Sequence, residues 1–254
     1  MEVTVLGKSS ATPDAGGANS GYLVREGGFT LLLDCGSGVF AKLRSVCEPI
    51  DVDAVLITHH HADHIIDLVP YSHALTFTYA HTGCRPLLVA PPDSAQVFLR
   101  IGDAFGVGSQ ILDGFRLDEY GDDTTLQLGP LHVRFQPVPH YIPTWACELR
   151  SPDGKRFVFG ADCAFNQELV SFAAGADLLL LEATEMTVSV QEPAAARGHM
   201  TPREAGQLGR GAQAKRLVLT HFSDLLDAAQ IAAEGAEGFG GPVELAHEAM
   251  TLTI

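Results

Sequence analysis

Short apolar runs that end at glycine, proline or a polar residue recur along the chain and predict β-strands. These runs cover residues 2–6, 20–25, 29–34, 52–58, 86–92, 131–138, 145–151, 156–162, 177–183 and 216–223. Segments with helical spacing lie between them, at 39–47, 63–79, 93–105 and 201–212. Asp93 or Ser94 is a suitable N-cap for the third helix, and Pro202 suits the first turn of the fourth. The alternation predicts an α/β fold of mixed sheets between helices, in a single domain over residues 1–254.

Two of the buried strands end in the same dipeptide. The segments "AVLITH" (54–59) and "RLVLTH" (216–221) are both apolar and both finish with Thr-His. This weak repeat predicts two similar halves that present polar side chains at a shared seam.

The composition is that of a globular protein, with 46% hydrophobic and 19% charged residues. No apolar run is long enough for a membrane helix, and a strand-like segment follows Met1 directly, so we expect no signal peptide and a cytoplasmic location. A net charge of -15 argues against a nucleic-acid partner, because that requires clustered basic residues. The five cysteines are scattered without a CxxC pair, which indicates reduced thiols.

The segment "THHHADH" (58–64) gathers four of the 11 histidines directly after a predicted strand. In an extended segment His59 and His61 point the same way and His60 points to the opposite side. Asp63 and His64 follow at the turn into the next helix. Neutral imidazole and carboxylate are ligands for zinc or a similar metal, so this loop can begin two metal sites but cannot complete both.

Three further polar residues, His140, Asp162 and His221, each follow an apolar strand. The ordered pattern HxHxDH, His, Asp, His resembles the metallo-β-lactamase fold superfamily. The resemblance covers nearly the whole chain, including "LLLDCGSG" (31–38), which contains Asp34. It implies an αβ/βα four-layer sandwich with two mixed sheets inside and helices outside. Asp34 would then support the metal loop through hydrogen bonds.

The resemblance also implies a ligand set for two divalent metal ions, with zinc expected and manganese as the alternative. One ion would be held by His59, His61 and His140, the other by Asp63, His64 and His221, with Asp162 bridging them. The presence of both Asp162 and His61 favours a binuclear hydrolase over a metallo-β-lactamase proper or a flavo-diiron oxygen reductase.

Residues 178–187 and 197–206 resemble segments of ribonuclease Z. The resemblance places Glu182 and His199 beside the metals, with His199 assisting at the scissile phosphate and Asp63 holding the attacking water. Leu181 stands where that family usually has a histidine, so part of the motif is missing. The alternatives are a helix-capping neighbour for His199 and a salt bridge for Glu182.

Ribonuclease Z carries a tRNA-gripping arm, commonly between its third motif and the bridging aspartate. The segment between His140 and Asp162 is too short for such an arm. The resemblance therefore favours a phosphodiesterase that acts on a small substrate, and a cyclic nucleotide is the first choice of substrate. The runner-up is a tRNA 3′-end endoribonuclease, and a ligand-sensing protein on a hydrolase scaffold is the non-enzyme alternative, which the complete ligand set opposes. Dimeric relatives suggest a homodimer, and no membrane partner is expected.

The remaining histidines are interpreted as ordinary surface or core residues. They are His60, His73, His81, His132 and His247. The segment "HTGC" (81–84) resembles half of a further metal site, but no partner pair is visible in the sequence.

Overall fold

The computed structural model describes residues 1–186 and 197–254, which form two seven-stranded mixed sheets. In spatial order, the first sheet contains β14 (Thr251–Thr253), β1 (Glu2–Gly7), β2 (Gly21–Glu26), β3 (Phe29–Leu33), β4 (Ala54–Leu56), β5 (Leu87–Ala90) and β6 (Arg116–Glu119). The second contains β13 (Glu244–Leu245), β12 (Leu217–Thr220), β11 (Leu178–Glu182), β10 (Arg156–Phe159), β9 (Thr144–Arg150), β8 (Leu131–Val138) and β7 (Thr125–Leu128).

Helices cover the outer faces of both sheets. They are α1 (Val39–Leu43), α2 (Ala62–Ile65), α3 (Leu68–His73), α4 (Ser94–Phe105), α5 (Gln110–Gly114), α6 (Gln167–Phe172), α7 (Pro202–Gly211) and α8 (Ala228–Phe239). One apolar cluster joins the facing sides of the two sheets, and two others fill the spaces between each sheet and its helices. This confirms the four-layer sandwich that the sequence predicts.

The two sheets share one connectivity from β1 to β6 and from β8 to β13, and they differ at one edge, where β14 comes from the end of the chain and β7 directly precedes β8. Each has an antiparallel part followed by four parallel strands, β3 to β6 in the first sheet and β10 to β13 in the second. By this connectivity β4 corresponds to β11 and β5 corresponds to β12. The repeat "AVLITH" and "RLVLTH" therefore joins strands that are not equivalent, although both carry polar residues to the same seam.

The predicted elements are present, but several helices are shorter than their apolar patterns. The segment 39–47 is helical only over Val39–Leu43, and the segment 63–79 is divided into α2, α3 and a π-helical turn at Ala74–Thr78. The helix at Pro202–Gly211 begins with a capping box between Thr201 and Glu204. The five cysteines are free, and no helix of the described residues is long and apolar enough to cross a membrane.

The start of α4 differs from the predicted cap. Asp93 occupies the N-cap position, but its side chain makes no capping hydrogen bond. Glu119 at the end of β6 accepts from Ala95 N at 2.8 Å instead. Ser94 Oγ bonds to His60 Nε2 at 2.6 Å, and the imidazole packs edge-on against Phe98. The His60 side chain therefore contacts α4 and joins the histidine-rich segment 58–64 to that helix.

We expect His60→Ala to lower the free energy of unfolding by about 1 kcal/mol, because the buried Ser94 hydroxyl keeps its bond to the Pro91 carbonyl but no longer accepts from the imidazole. Metal content and turnover should stay at the level of the unsubstituted protein. Urea unfolding at fixed metal concentration measures the loss, and Ser94→Ala with the double variant isolates the energy of the pair. Loss of metal from His60→Ala would contradict this structural role.

Candidate metal centre

The ligand side chains are collected where strands of both sheets end. Asp34 follows β3, the segment 58–64 follows β4, Asp162 lies beyond β10, and His221 follows β12. The backbone turns sharply at these points, because Asp34, Ala161 and His221 have positive φ values of 59°, 54° and 54°. Such backbone is strained for residues other than glycine and is typical of functional sites.

Three histidines and Asp162 form the first cluster. His61 Nδ1 lies 3.1 Å from His59 Nε2 and 3.0 Å from His140 Nε2. Asp162 Oδ2 lies 3.9 Å from His59 Nε2. Atoms that bind one zinc ion at about 2.0–2.1 Å lie roughly 3.3 Å apart in a tetrahedral site, so these spacings suit a single ion.

A second cluster shares Asp162 with the first. Its Oδ2 atom lies 3.3 Å from His64 Nε2 and 3.3 Å from His221 Nε2. Asp63 Oδ2 completes the group, at 3.2 Å from His221 Nε2 and 3.6 Å from His64 Nε2. The structure thus brings all seven predicted ligand residues together, in the two groups implied by the resemblance and with Asp162 common to both.

The far side of each ring shows whether the nitrogen aimed at the cluster is free to bind a cation. His64 Nδ1 donates to Asp34 Oδ2 at 2.8 Å, and His140 Nδ1 donates to the Gly198 carbonyl at 2.6 Å. In these tautomers the Nε2 lone pairs point into the clusters. His64 Nε2 is completely buried and makes no hydrogen bond with the described residues. A bound metal cation would satisfy this atom, so the donor sets of the two clusters fit a pair of metal ions.

Asp34 fixes the loop as well as the ring. Its carboxylate accepts from Thr58 N at 2.9 Å and from Thr58 Oγ1 at 3.0 Å, directly before the histidine cluster. Two residues later, a Cβ on Gly36 would lie 1.9 Å from the Asp63 carbonyl oxygen. Only glycine allows this close approach between the turn after β3 and the ligand segment. The predicted supporting role of Asp34 agrees with this geometry.

The charges in the clusters oppose the effect of burial. Burial favours the neutral form of Asp162, but the positive charges of His221 and His64 outweigh it and hold the pKa well below the usual value. Burial likewise disfavours protonated His64, yet Asp162 and Asp34 raise its pKa well above normal. Burial lowers the pKa of His140 to about 4, so this ring is neutral and ready to ligate.

Glu182 at the end of β11 connects the metal ligands to His199. One carboxylate oxygen accepts from Cys163 N at 2.6 Å and from His199 Nδ1 at 3.0 Å. The other accepts from the Thr184 hydroxyl at 2.6 Å, and that hydroxyl in turn accepts from His221 Nδ1 at 2.8 Å. Burial lowers the pKa of His199, but Glu182 outweighs it and raises the value to about 9.

A pocket of about 370 Å³ opens onto both clusters. His199 faces this pocket together with the metal-ligand residues His61, Asp63, Asp162 and His221. The neighbouring walls come from the loop 10–12 after β1 and from Tyr141 after His140. The arrangement provides two clusters of potential metal ligands that share Asp162, an imidazole with a raised pKa and an open space for a small ligand.

This fold and site define a metal-dependent hydrolase of the β-lactamase type. The family model described as "Beta-lactamase superfamily domain" matches residues 30–222, and the chain therefore belongs to the β-lactamase superfamily.

The relatives agree with this assignment. The chain is 30% identical to "Probable metallo-hydrolase YhfI" of Bacillus subtilis (strain 168), over 97% of each protein. The crystal structure of the metallo-beta-lactamase fold protein YhfI from Bacillus subtilis matches with a TM-score of 0.86 at 26% identity, covering 99% of this chain and 98% of that one. Ribonuclease Z of Thermobifida fusca (strain YX) is 28% identical over 100% of this chain and 94% of the relative. The chain is thus a metallo-hydrolase related to ribonuclease Z.

The sequence pattern singles out the seven clustered residues together with Glu182 and His199, and it gives no role to two neighbours. Thr184 lies in the segment 178–187, whose last residue is outside the described part of the chain, and Tyr141 follows the ligand His140. The position of Thr184 two residues after Glu182 was a usable signal. That the seven clustered residues bind metal stays a prediction, which metal analysis tests.

We expect Thr184→Val to weaken binding of one of two ions by about 10–100-fold, because His221 and Glu182 lose the hydroxyl between them while the side-chain volume is kept. The unsubstituted protein should hold close to two ions per chain. Elemental analysis after dialysis against graded chelator concentrations measures both values.

Thr184→Ser restores the hydroxyl and should restore retention of the second ion. Thr125→Val, at an exposed position of β7, is the matched control for loss of a threonine hydroxyl. If Thr184→Val keeps both ions at the same chelator concentration as the unsubstituted protein, Thr184 does not orient His221.

Proposed function

We propose that this chain is a binuclear metal-dependent phosphodiesterase that hydrolyses a small phosphodiester, with a cyclic nucleotide as the first choice of substrate. The observation that carries the proposal is the joint geometry of the site. Two ligand clusters share Asp162, and the His199–Glu182 pair stands beside them in the same pocket. The relationship to ribonuclease Z, a phosphodiester-cleaving enzyme by its name, supports the same bond type.

The donor atoms favour zinc, with manganese as the alternative, because imidazole nitrogen and carboxylate oxygen are common zinc ligands. One ion would be held by His59, His61, His140 and Asp162, and the other by Asp63, His64, His221 and Asp162. When bound, the ions would neutralise charge on the phosphate and lower the pKa of an attacking water.

The side chains of this protein would then perform two proton transfers. Asp63 faces the pocket and would take a proton from the water whose oxygen attacks phosphorus. As the phosphorus–oxygen bond to the leaving group breaks, His199 would give its proton to the departing oxygen. Glu182, at 3.0 Å from His199 Nδ1, would hold the ring so that its other nitrogen carries that proton into the pocket.

The second candidate is cleavage of tRNA precursors, which the name of ribonuclease Z favours. The alignment with the Thermobifida fusca protein spans 308 positions, whereas this chain has 254 residues, so the relative contains segments that this chain lacks. Between His140 and Asp162 the structure has β9, a turn and β10. A net charge of -15 provides little attraction for a polyanion. A small substrate needs no such attraction.

The deciding experiment compares turnover of a cyclic nucleotide, bis(p-nitrophenyl) phosphate and a tRNA precursor by the zinc-loaded and the manganese-loaded protein. We expect the small diesters to be hydrolysed with weak dependence on salt, because the substrate carries a single negative charge. Faster cleavage of the tRNA precursor, falling steeply with salt, would establish the second candidate instead.

We expect His199→Ala to reduce turnover by about 10²–10⁴-fold while metal content stays unchanged. If His199 protonates the leaving oxygen, the loss is larger for a cyclic nucleotide, whose leaving group is a sugar alkoxide, than for bis(p-nitrophenyl) phosphate, whose leaving group needs no proton. Steady-state kinetics with both substrates measures the difference.

His132→Ala removes an exposed histidine on β8 and is the matched control. An equal loss on both substrates would indicate that His199 stabilises charge without donating the proton. Near-normal turnover on both would restrict His199 to packing.

A further inference from the structure

Tyr141 is an aromatic side chain held at the mouth of the pocket with most of its surface free. It follows the ligand residue His140 in the turn between β8 and β9, and it is 61% exposed. Its ring lies directly against Gly198, where a Cβ would come within 2.4 Å of the Tyr141 Cε2 atom. The ring centroid is 5.7 Å from that of His199. The ring is therefore packed against Gly198 beside His199 while remaining open to a ligand.

The other described walls of the pocket consist mainly of small side chains and the clustered polar residues. The loop 10–12 contributes Ser10, Ala11 and Thr12, all small, and Ala62 is small as well. Apart from the histidines, Tyr141 is the one aromatic residue among the described residues that line the pocket. None of these described residues is lysine or arginine. Among these described lining residues a second phosphate group would find no lysine or arginine, whereas a planar aromatic group would find the planar ring of Tyr141.

We propose that Tyr141 is the specificity residue of this site and that it selects phosphodiesters carrying an aromatic group, such as the base of a nucleotide, by stacking on it. The inference rests on the proposed phosphodiesterase function and adds the chemical class of the substrate. Every base has a π-face, so this contact tolerates differences among bases and discriminates against substrates without one. A ring already held in place loses little conformational entropy on binding.

The experiment uses the zinc-loaded protein and two matched substrates. One is adenosine 3′,5′-cyclic phosphate, and the other is the same cyclic sugar phosphate with a methoxy group in place of the base. We expect Tyr141→Leu to reduce kcat/KM for the nucleotide by roughly 10-fold, mainly through KM, and to leave the baseless substrate unchanged. Tyr141→Phe keeps the ring and should keep the preference.

Phe77→Leu is the matched control, because Phe77 is 66% exposed and does not line the pocket. Metal content of each variant is measured in parallel, together with calorimetric binding of the nucleotide. Equal losses on both substrates, or a protein with no preference for the nucleotide, would overturn the stacking role.

Turnover and binding together separate this inference from the proposed function. Binding of the nucleotide that depends on Tyr141, without turnover of either substrate, would overturn the phosphodiesterase function and retain recognition of the base. Turnover of the substrates that is unaffected by Tyr141→Leu would retain the phosphodiesterase function and overturn recognition of the base by Tyr141. Absence of both binding and turnover would overturn both.

Discussion

The carboxylate of Asp162 lies almost completely out of contact with water between two groups of histidines, and the rest of the site depends on it. A buried carboxylate costs several kcal/mol unless positive charge compensates it. In the protein alone His221 and His64 hold the pKa of Asp162 well below its usual value, and Asp162 and Asp34 in turn raise the pKa of His64. The negative field that holds a proton on His64 is also the field that attracts a cation, so metal ions and protons compete for the same position.

The scaffold around Asp162 keeps this charge where two sheets meet. Parallel strands in both sheets direct their carboxyl ends to one seam, and positive φ values at Asp34 and His221 turn side chains into it. Gly36 brings the turn after β3 against the backbone of Asp63. The strain of these turns is offset by the apolar core between the sheets, which contains residues such as Leu33 and Phe159.

Most of the site could be predicted from the sequence because each ligand directly follows an apolar strand, and strand ends converge in an α/β sandwich. The strands and helices that the sequence pattern does not predict lack such an apolar run. The strand β6, Arg116–Glu119, is mostly exposed, and β13 has two residues. The helix α8 contains glycines that disfavour a helix in isolation. In the structure, a Cβ on Gly238 of α8 would lie 2.2 Å from the Arg203 carbonyl oxygen of α7, so the close contact between the two helices explains this glycine.

The contacts among side chains within the site are tertiary and leave no periodic signal. Neither the bond from Thr184 to His221 nor the packing of Tyr141 on Gly198 follows from the spacing of residues along the chain. The equivalence of β4 with β11 is also a property of strand order, and the matching dipeptides at the ends of β4 and β12 indicate a different pairing. Sequence similarity of two strands is therefore weaker evidence for their equivalence than their neighbours in the sheet.

Glu182 separates an enzyme from a protein that only binds metal. Glu182 supports the clustered residues through two contacts. It accepts a hydrogen bond from Cys163 N, and through Thr184 it is connected to His221. Neither contact requires a histidine in the pocket. Yet the same carboxylate also fixes His199, whose ring is not among the seven clustered ligands and faces the open space. A protein that only holds two metal ions in these clusters needs no imidazole fixed in this position. A hydrolase gains a proton donor at the leaving group, and this asymmetry favours the enzyme.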